Sequence, residues 1–255
     1  MRETILLGLD VGGSSIKAGL VDTEHGPMTT PLRSVRTPTP STPEAGLQAC
    51  ARIDREFAAS GPVGLAVPSV VQDGIARTAA NVDKSWIGCA GGARLSQLIG
   101  RPVIFLNDAD AAGVAEMSAA GAGRGVNGVV ILLTFGTGIG SALFVDGELV
   151  PNTEFGHLEF HGRDAELTAS ARVRTAERLD WPSWCARVND YLARMHALFW
   201  PDLFIIGGSI SEDFEQFGHL LHSPAPIRRA AHGAQSGVVG AAFAAARQQA
   251  NDPSQ

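Results

Sequence analysis

The sequence predicts an α/β protein built from two related halves, and two observations lead to that prediction. A glycine turn between two apolar strands occurs once in each half, in segments 8–22 and 133–147. Around both copies, short apolar runs of strand length alternate with longer segments of helical periodicity, as in α/β proteins. The 255 residues suffice for one large domain or two small ones.

The first half of the chain begins with the first hairpin. The proline-rich segment 37–43 cannot donate regularly to a sheet and predicts a loop. Pro43 suits the first turn of a helix that we expect to end at Phe57, before Gly61 and Pro62. The strands predicted in this half are 4–11, 16–22, a third near 32–37, and then 63–67, 70–78 and 103–106.

The second half restarts with the second hairpin and ends in two helices. The strands predicted here are 128–135, 139–145, 148–150 and 203–206. A helix over 182–199 is predicted from an apolar stripe of Trp184, Val188, Tyr191, Leu192, Met195 and Leu198. The last helix is predicted over 237–249, where small residues permit close packing, and 251–255 is expected to be a frayed tail.

Charge and composition exclude several classes of partner. A net charge of −6 argues against binding to nucleic acids or anionic membranes, which need a basic face. The sequence has no signal-peptide pattern and no apolar run of about 20 residues, so we expect a cytoplasmic protein. Three separated cysteines, Cys50, Cys89 and Cys185, predict buried thiols and neither disulfides nor a zinc cluster.

The two glycine turns are candidate phosphate-binding loops. Small residues let backbone amides approach an anion closely, and hydroxyl groups add further donors. Lys17 follows the first turn and supplies a cation. The candidates are Gly12, Gly13, Ser14 and Ser15 in the first turn and Gly136, Thr137, Gly138 and Gly140 in the second. Two such turns suggest that one phosphate chain is held from both sides.

A candidate catalytic group lies between the two hairpins. The strand that ends at Leu106 delivers Asn107 and Asp108 to the start of a helix, and ligands of open α/β sheets bind at the carboxyl ends of strands. Asn and Asp are also the commonest helix caps, and that alternative needs no catalysis. The nearby phosphate turn and the acidic loop that follows it favour a role in chemistry.

That acidic loop, 152–160, is a candidate sugar-binding segment. Glu154 and His157 flank Gly156, and their side chains can exchange hydrogen bonds with neighbouring hydroxyl groups. A metal site formed by His157 and His161 is the alternative, although Gly156 argues against the helix that such a motif needs.

Several motifs, in this order along the chain, resemble the ROK (repressor, open-reading-frame, kinase) family of sugar kinases. The motifs occupy 10–17, 79–88, 106–116, 135–142, 154–160 and 207–211, and the resemblance spans about 7–243. Segments 79–88 and 150–160 are most similar to the bacterial polyphosphate glucokinases within that family.

The resemblance implies specific roles for individual residues. Asp108 matches the catalytic base of the family, and Asp10 matches the aspartate that orients Mg²⁺, usually through water. The residues that match the sugar-binding set are Asn81, Asn107, Asp108, Glu154, His157 and, with a poorer motif match, Glu166.

The resemblance also implies a fold and an assembly. It predicts the actin-like (ribonuclease H-like) fold, with two α/β domains around a cleft, and a homodimer. The predicted domains are 1–107 with 237–255, and 108–236. Many family members bind structural zinc through cysteines, but segment 159–178 contains none, so we predict no zinc site.

The sequence therefore predicts a kinase that transfers a phosphoryl group from polyphosphate, and possibly from ATP, to the 6-hydroxyl of glucose. Alternatives are a strictly ATP-dependent glucokinase, a kinase of another hexose or N-acylhexosamine, and a non-catalytic sugar-binding protein. Ser69, where the family usually has glycine, leaves acceptance of mannose open. With lysine only at positions 17 and 84, a polyphosphate track would need arginines, and the available candidates are Arg77, Arg94, Arg101 and Arg124.

Overall fold

The computed structural model describes residues 3–251, which divide into two compact units. Within these residues, unit 1 comprises 3–120 and 235–251, and unit 2 comprises Gly121–Ala234. No helix in this part of the chain is long and apolar enough to cross a membrane.

The elements are numbered along the chain. The first part of unit 1 contains β1 (Ile5–Val11), β2 (Ser15–Asp22), β3 (Arg33–Arg36), α1 (Pro43–Phe57), β4 (Val63–Val67), β5 (Val71–Gln72), β6 (Ile75–Ala76), α2 (Gly91–Ile99), β7 (Val103–Asn107) and α3 (Asp108–Glu116).

Unit 2 follows, and the chain then returns to unit 1. Unit 2 contains β8 (Val129–Phe135), β9 (Ile139–Val145), β10 (Glu148–Val150), β11 (Glu159–Phe160), β12 (Arg163–Asp164), α4 (Glu166–Ala169), α5 (Ala171–Ala176), α6 (Trp181–Phe199), β13 (Leu203–Gly207), α7 (Phe214–Phe217) and β14 (Ile227–Arg229). The last helix, α8 (Ser236–Asn251), belongs to unit 1.

The two units contain five-stranded sheets with the same order of strands. In unit 1 the order is β3-β2-β1-β4-β7, and β1 is antiparallel to β2 but parallel to β4. In unit 2 the order is β10-β9-β8-β13-β14, and β8 is antiparallel to β9 but parallel to β13. The glycine hairpin repeated in the sequence is therefore part of a repeated sheet.

Helix α8 packs closely on the sheet of unit 1 because two strands of the sheet carry glycine at the points of contact. A Cβ atom on Gly8 or Gly64 would collide with backbone carbonyl groups of α8, and one on Gly240 would collide with the carbonyl of Ala111 in α3. The close packing predicted from the small residues is confirmed. Since α3 packs against α8 in unit 1, the first unit ends after α3, whereas the predicted division lies before Asp108.

Most predicted elements are confirmed, and α1 shows why. Its N-terminus is capped by Thr42, whose Oγ1 accepts a hydrogen bond from the amide of Ala45 at 3.3 Å. Its C-terminus is set by Ala58, which adopts a left-handed conformation (φ 47°). The helix therefore has the predicted bounds, Pro43–Phe57.

Two predictions about local structure are wrong. Segment 70–78, which we expected to be one strand, is a hairpin whose strands, β5 and β6, have two residues each. The chain reverses between them at Asp73 (φ 53°) and Gly74 (φ 73°). Leu198 does not join the buried stripe of α6, since it is 45% exposed and the neighbouring Phe199 packs against the core instead. The predicted tail begins at Asn251, the last residue of α8, and 252–255 lie outside the described residues.

The cores of the two units contain the predicted thiols. Cys50 is buried in unit 1 among residues of the sheet and α1, and Cys185 is buried in unit 2 on α6. Cys89 is also buried, and all three are free. The prediction of buried, unpaired thiols is confirmed.

Candidate active site

The turn between β1 and β2, residues 12–14, is the first phosphate-loop candidate. The amide of Gly12 donates to the carbonyl of Ser15 at 2.9 Å and closes the turn. The hydroxyl of Thr37 donates to the carbonyl of Gly12 at 2.6 Å. Within residues 3–251, the amides of Gly13 and Ser14 donate to no protein acceptor, so both are available to an anion.

The turn between β8 and β9, residues 136–138, is built in the same way. The amide of Gly136 donates to the carbonyl of Gly138 at 3.0 Å, and the amide of Arg172 donates to the carbonyl of Gly136 at 3.0 Å. The amides of Thr137 and Gly138 have no acceptor in the described part of the chain. Each turn therefore offers two neighbouring amides.

The turns are narrower than the sequence predicts. Ser15 lies in β2 opposite Arg36, and Gly140 lies in β9 opposite Thr134. Both residues are therefore parts of sheet ladders rather than of the turns. The amides of Gly12 and Gly136 are also unavailable, because they close their own turns.

Asp10, at the end of β1, lies in a confined position beside the start of α8. A Cβ atom on Gly237 would come within 2.7 Å of its Cγ, so only glycine leaves room there. The Nζ of Lys17 lies 4.0 Å from its Oδ2. Burial raises the pKa of Asp10, and the nearby Lys17 partly opposes that rise.

Asn81 is held against the first turn. Its backbone is left-handed (φ 59°), and a Cβ atom on Gly13 would collide with its carbonyl oxygen. The Nζ of Lys84 donates to the carbonyl of Ala79 at 3.2 Å and so ties the ends of this segment together. The structure thus brings a predicted sugar-binding residue next to a predicted phosphate-binding turn.

Asn107 and Asp108 lie where β7 passes into α3. Asn107 is the helix cap: its Oδ1 accepts hydrogen bonds from the amides of Ala109 and Asp110, at 2.7 and 3.0 Å. Its Nδ2 donates to the carbonyl of Ser69 at 3.1 Å. Asp108 is the first helical residue and is half-buried, in a position where the helix terminus stabilises negative charge.

Ser69 has a structural role that sequence reasoning did not find. Its hydroxyl donates to the carbonyl of Thr78 at 2.7 Å, while its own carbonyl accepts from Asn107. The side chain is buried and positions the segment that leads toward Asn81. The hydroxyl at this position is therefore satisfied by the protein itself.

Unit 2 gathers an imidazole and three carboxylates beside the second turn. His157 Nδ1 forms a 2.8 Å hydrogen bond with Asp164 Oδ2, and His157 Nε2 lies 3.9 Å from Glu154 Oε2. Glu166 Oε2 accepts a hydrogen bond from the amide of Ile139 at 3.3 Å. Asp164 was missed from the sequence because its contact with His157 depends on the way that β11 and β12 fold back.

The segment that carries this cluster is fixed to β9. The hydroxyl of Ser141 donates to the carbonyl of Thr153 at 2.7 Å and accepts from the amide of Phe155 at 3.0 Å. The hydroxyl of Tyr191 donates to the carbonyl of Phe155 at 3.0 Å. A Cβ atom on Gly156 would collide with the carbonyl of Ile139. Glu154 and His157 are thus mounted on the strand that leaves the second turn.

The contacts within this cluster change the pKa values of Glu154 and His157. Burial raises the pKa of Glu154, His157 lowers it, and the charge of Glu166 raises it further. The hydrogen bond that His157 donates to Asp164 is the largest cause that raises the pKa of His157, against the opposing effect of burial. Side chains with such properties can accept hydrogen bonds from hydroxyl groups and donate to them.

The chain is similar to a known protein family and to several of its members. The model of the ROK family matches residues 6–173. The chain belongs to the ROK family. It is 47% identical to a polyphosphate glucokinase of Mycobacterium tuberculosis H37Rv over 93% of this chain and 89% of the relative. It is 44% identical to a polyphosphate glucokinase of Mycobacterium leprae over 93% of this chain and 73% of the relative.

Solved structures of ROK proteins confirm the predicted actin-like fold. An inorganic polyphosphate/ATP-glucomannokinase from Arthrobacter sp. strain KM is 43% identical, with a TM-score of 0.90 over 96% of this chain and 100% of that one. A ROK family glucokinase from Streptomyces griseus, in complex with glucose and AMPPNP, is 25% identical, with a TM-score of 0.80 over 95% and 99%.

The alternative metal site of this ROK protein finds no support. His161 adopts a left-handed conformation (φ 54°) and packs on the ring of Phe160, with 4.1 Å between ring centroids. Among residues 3–251, no three His, Cys, Asp or Glu side chains form a group that could hold a metal ion. His157 is instead occupied by Asp164.

Most of the arginines considered for a polyphosphate track are paired with carboxylates. Arg94 bonds to Glu44 at 2.6 Å, Arg101 is paired with Asp54, and Arg77 lies 3.9 Å from Asp73. Arg124 is exposed. Arg172, which the sequence analysis did not single out, lies beside the second turn.

Arg172 lies in the first turn of α5, and its backbone supports the second glycine turn. Its amide donates to Gly136, and its exposed side chain forms no ion pair with any residue that the structure describes. A guanidinium can form charge-assisted hydrogen bonds with phosphate oxygens, so Arg172 is a candidate cation beside the second turn.

Proposed function

We propose that this ROK protein is a glucokinase that transfers a phosphoryl group from inorganic polyphosphate, and also from ATP, to the 6-hydroxyl of glucose. The observation that carries the proposal is the direct attachment of the hydroxyl-binding candidates Glu154 and His157 to the strand that leaves a glycine turn with free amides. The identity to polyphosphate glucokinases over 93% of the chain supports the same conclusion.

Asp108 is the proposed general base. Its carboxylate lies at the start of α3, where the helix terminus favours the ionised form that can accept the proton of the sugar hydroxyl. A positioned base contributes roughly 10²- to 10⁴-fold to the rate. Phosphoryl transfer passes through a loose transition state, in which positioning and charge stabilisation dominate, so a weak base is sufficient.

Glu154, His157 and Glu166 in unit 2 and Asn81 in unit 1 are the proposed ligands of the sugar hydroxyls. Carboxylates accept from hydroxyl groups, while the imidazole and the amide can also donate to them. Glu166 also holds the amide of Ile139 next to the second turn. The side chain of Asn107 already forms the hydrogen bonds that cap α3 and hold Ser69, so its proposed role in sugar binding is to hold Asp108 in place. A direct contact with the sugar would use its second amide hydrogen.

The phosphate groups of the donor are proposed to bind the free amides of each turn. Gly13 and Ser14 offer two donors in unit 1, with Lys17 nearby, and Thr137 and Gly138 offer two in unit 2. Backbone amides that point into a small concave turn bind phosphate oxygens well.

Mg²⁺ is the proposed cofactor, and Asp10 is the residue that would hold it, through water as the family resemblance implies. The carboxylate of Asp10 is a hard oxygen donor, which suits Mg²⁺, an ion that usually keeps several water ligands and takes only one or two carboxylates. When bound, the ion would neutralise charge on the phosphate oxygens.

The donor preference rests on the relatives and on Arg172. A long polyphosphate chain extends beyond the phosphate groups that the two turns could bind, so additional cations favour it over ATP. Arg172 supplies such a cation beside the second turn, whereas Arg94 and Arg101 are paired with carboxylates.

The proposal is tested by following phosphorylation of glucose with long-chain polyphosphate and with ATP, in the presence of Mg²⁺, over a series of salt concentrations. We expect turnover with both donors and a steeper loss of affinity for polyphosphate as salt rises, because a polyanion releases counterions on binding. Turnover with ATP alone would support the strictly ATP-dependent alternative. Turnover only with N-acetylated hexosamines would replace glucose as the substrate, and binding of glucose without turnover would indicate a sugar-binding protein.

A homodimer is part of the proposal because the family resemblance implies it. Light scattering at several protein concentrations tests this point. A mass near twice 26.6 kDa is expected, and a constant mass of 26.6 kDa would contradict it.

A further inference from the structure

Asp164 lies beside the imidazole of His157 and is not among the proposed sugar ligands. It lies on β12, whose two residues pair with β11 directly after the turn that carries His157. The amide of Ala165 donates to the carbonyl of Leu158 at 3.0 Å and closes this fold-back. The buried ring of Phe160 anchors β11 against Tyr191, with 6.0 Å between ring centroids. The carboxylate of Asp164 is therefore held over His157 by a fixed hairpin.

The hydrogen bond between the two side chains determines which ring nitrogen is left for a ligand. Asp164 Oδ2 lies 2.8 Å from His157 Nδ1, which is a full hydrogen bond. His157 Nε2 lies 3.9 Å from Glu154 Oε2, which is too long for one. Since a carboxylate only accepts, Nδ1 carries a hydrogen in both the neutral and the charged ring.

We propose that Asp164 is a positioning residue that keeps His157 protonated at Nδ1 and thereby presents Nε2, beside the Glu154 carboxylate, to the hydroxyl groups of the sugar. The proposal rests on the proposed function for the identity of the ligand. Asp164 itself does not touch the substrate, and its effect on glucose is exerted through the tautomer and the orientation of the ring.

The first test is kinetic. Asp164→Ala should raise the KM for glucose roughly tenfold, the size of effect expected when one charge-assisted hydrogen bond is lost, and leave kcat and the KM of the donor nearly unchanged. Asp164→Asn should recover most of the affinity, because its amide oxygen can still accept from Nδ1. Glu159→Gln is the matched control, since Glu159 faces Asp164 across the same hairpin, is exposed and can be neutralised without touching His157.

The second test reads the tautomer directly and needs no turnover. In ¹⁵N NMR spectra of histidine-labelled protein above the pKa of His157, with the signals assigned by their loss in His157→Gln, the wild type should show a protonated Nδ1. Asp164→Ala should shift the ring toward the Nε2-protonated form that free imidazoles prefer. Thermal unfolding of both Asp164 variants verifies that they are folded.

Two results would overturn the proposal: an Nε2-protonated ring in the wild type, or an unchanged KM for glucose in a folded Asp164→Ala variant. If the wild type phosphorylates no glucose, the proposed function fails, while the NMR spectra still decide whether Asp164 sets the tautomer.

Discussion

The two glycine turns, one in each unit, have the same internal construction but different supports. In both, the first glycine closes the turn through its amide, its carbonyl is held by another segment, and the next two amides are free. Turn 12–14 is supported by the hydroxyl of Thr37 and the backbone of Asn81. Turn 136–138 is supported by the amide of Arg172 and the carboxylate of Glu166.

The support of turn 12–14 is rigid, whereas the support of turn 136–138 can move. The carbonyl of Asn81 belongs to the backbone and cannot move without its whole segment. The carboxylate of Glu166 is the end of a flexible side chain, and it also belongs to the cluster around His157. In unit 2 the side chain of Glu166 therefore connects the turn to the candidate sugar ligands, whereas in unit 1 the backbone of Asn81 makes that connection.

The largest effect should distinguish the proposed base in unit 1 from the proposed sugar ligands in unit 2. Asp108→Asn should reduce kcat by roughly 10²- to 10⁴-fold, because the hydroxyl proton loses its acceptor. Glucose binding measured by calorimetry should remain, since Glu154, His157 and Glu166 are unchanged. Glu154→Gln is the contrasting variant and should mainly raise the KM for glucose. Turnover of Asp108→Asn close to that of the wild type would contradict the assignment.

The next effect compares the supports of the turns. Gly13→Ala should lower the free energy of unfolding by about 2 kcal/mol, because the new methyl group collides with a backbone carbonyl. Gly138→Ala should cost about 1 kcal/mol, because Glu166 can move aside and loses only its bond to the amide of Ile139.

Urea unfolding of these variants measures the difference. Gly136→Ala is the control, because its Cβ would meet nothing closer than the hydroxyl of Ser209 at 3.9 Å. Equal destabilisation by Gly13→Ala and Gly138→Ala would show that the two supports do not differ in rigidity.

A further difference between the turns is the cation beside the second one. Arg172→Gln should raise the KM for long-chain polyphosphate about tenfold. The slope of log affinity against log salt concentration should become shallower by about 1, because one cation that contacts the polyanion is lost. The KM for ATP should change less. Arg94→Gln serves as the matched control, because Arg94 is already paired with Glu44. Equal effects of both substitutions would exclude a specific role for Arg172.

The smallest effect concerns pH and the cluster in unit 2. The hydrogen bond that His157 donates to Asp164 raises the pKa of His157 above its ordinary value of 6.5. The resulting stabilisation should be fully present below pH 6.5 and disappear as pH rises through the raised pKa of the folded protein. Because the side chain is 58% exposed, solvent limits the effect to less than about 1 kcal/mol.

Thermal unfolding of the wild type and of His157→Gln over a pH series tests this point. The wild type should be the more stable protein on the acid side, and the difference should shrink toward alkaline pH. A difference that grows as pH rises would contradict the assigned direction of the pKa shift.

The sequence predicted the elements whose signals are local. The hairpin of β1 and β2 follows from its apolar strands and small turn residues, and the ends of α1 follow from Pro43 and the glycine and proline after it. The strand expected over 70–78 was wrong because the Asp73-Gly74 turn was overlooked. Leu198 was misplaced because periodicity alone does not show where a helix leaves its core.

The parts of the candidate site that the sequence did not predict depend on tertiary contacts. Thr37, Asp164 and Arg172 each support a site residue from a separate element, and nothing in their own neighbourhood indicates the partner. The sequence also assigned the amides of Gly12 and Gly136 to phosphate binding. In the structure these amides close their own turns, and a sequence does not show that use of a backbone group.

The central claim is tested most directly by assaying glucose 6-phosphate formation from glucose and long-chain polyphosphate with Mg²⁺ and no nucleotide. The account predicts steady formation of glucose 6-phosphate by the wild type and almost none by Asp108→Asn. Absence of product with the wild type under these conditions, while glucose and polyphosphate both bind, would contradict it.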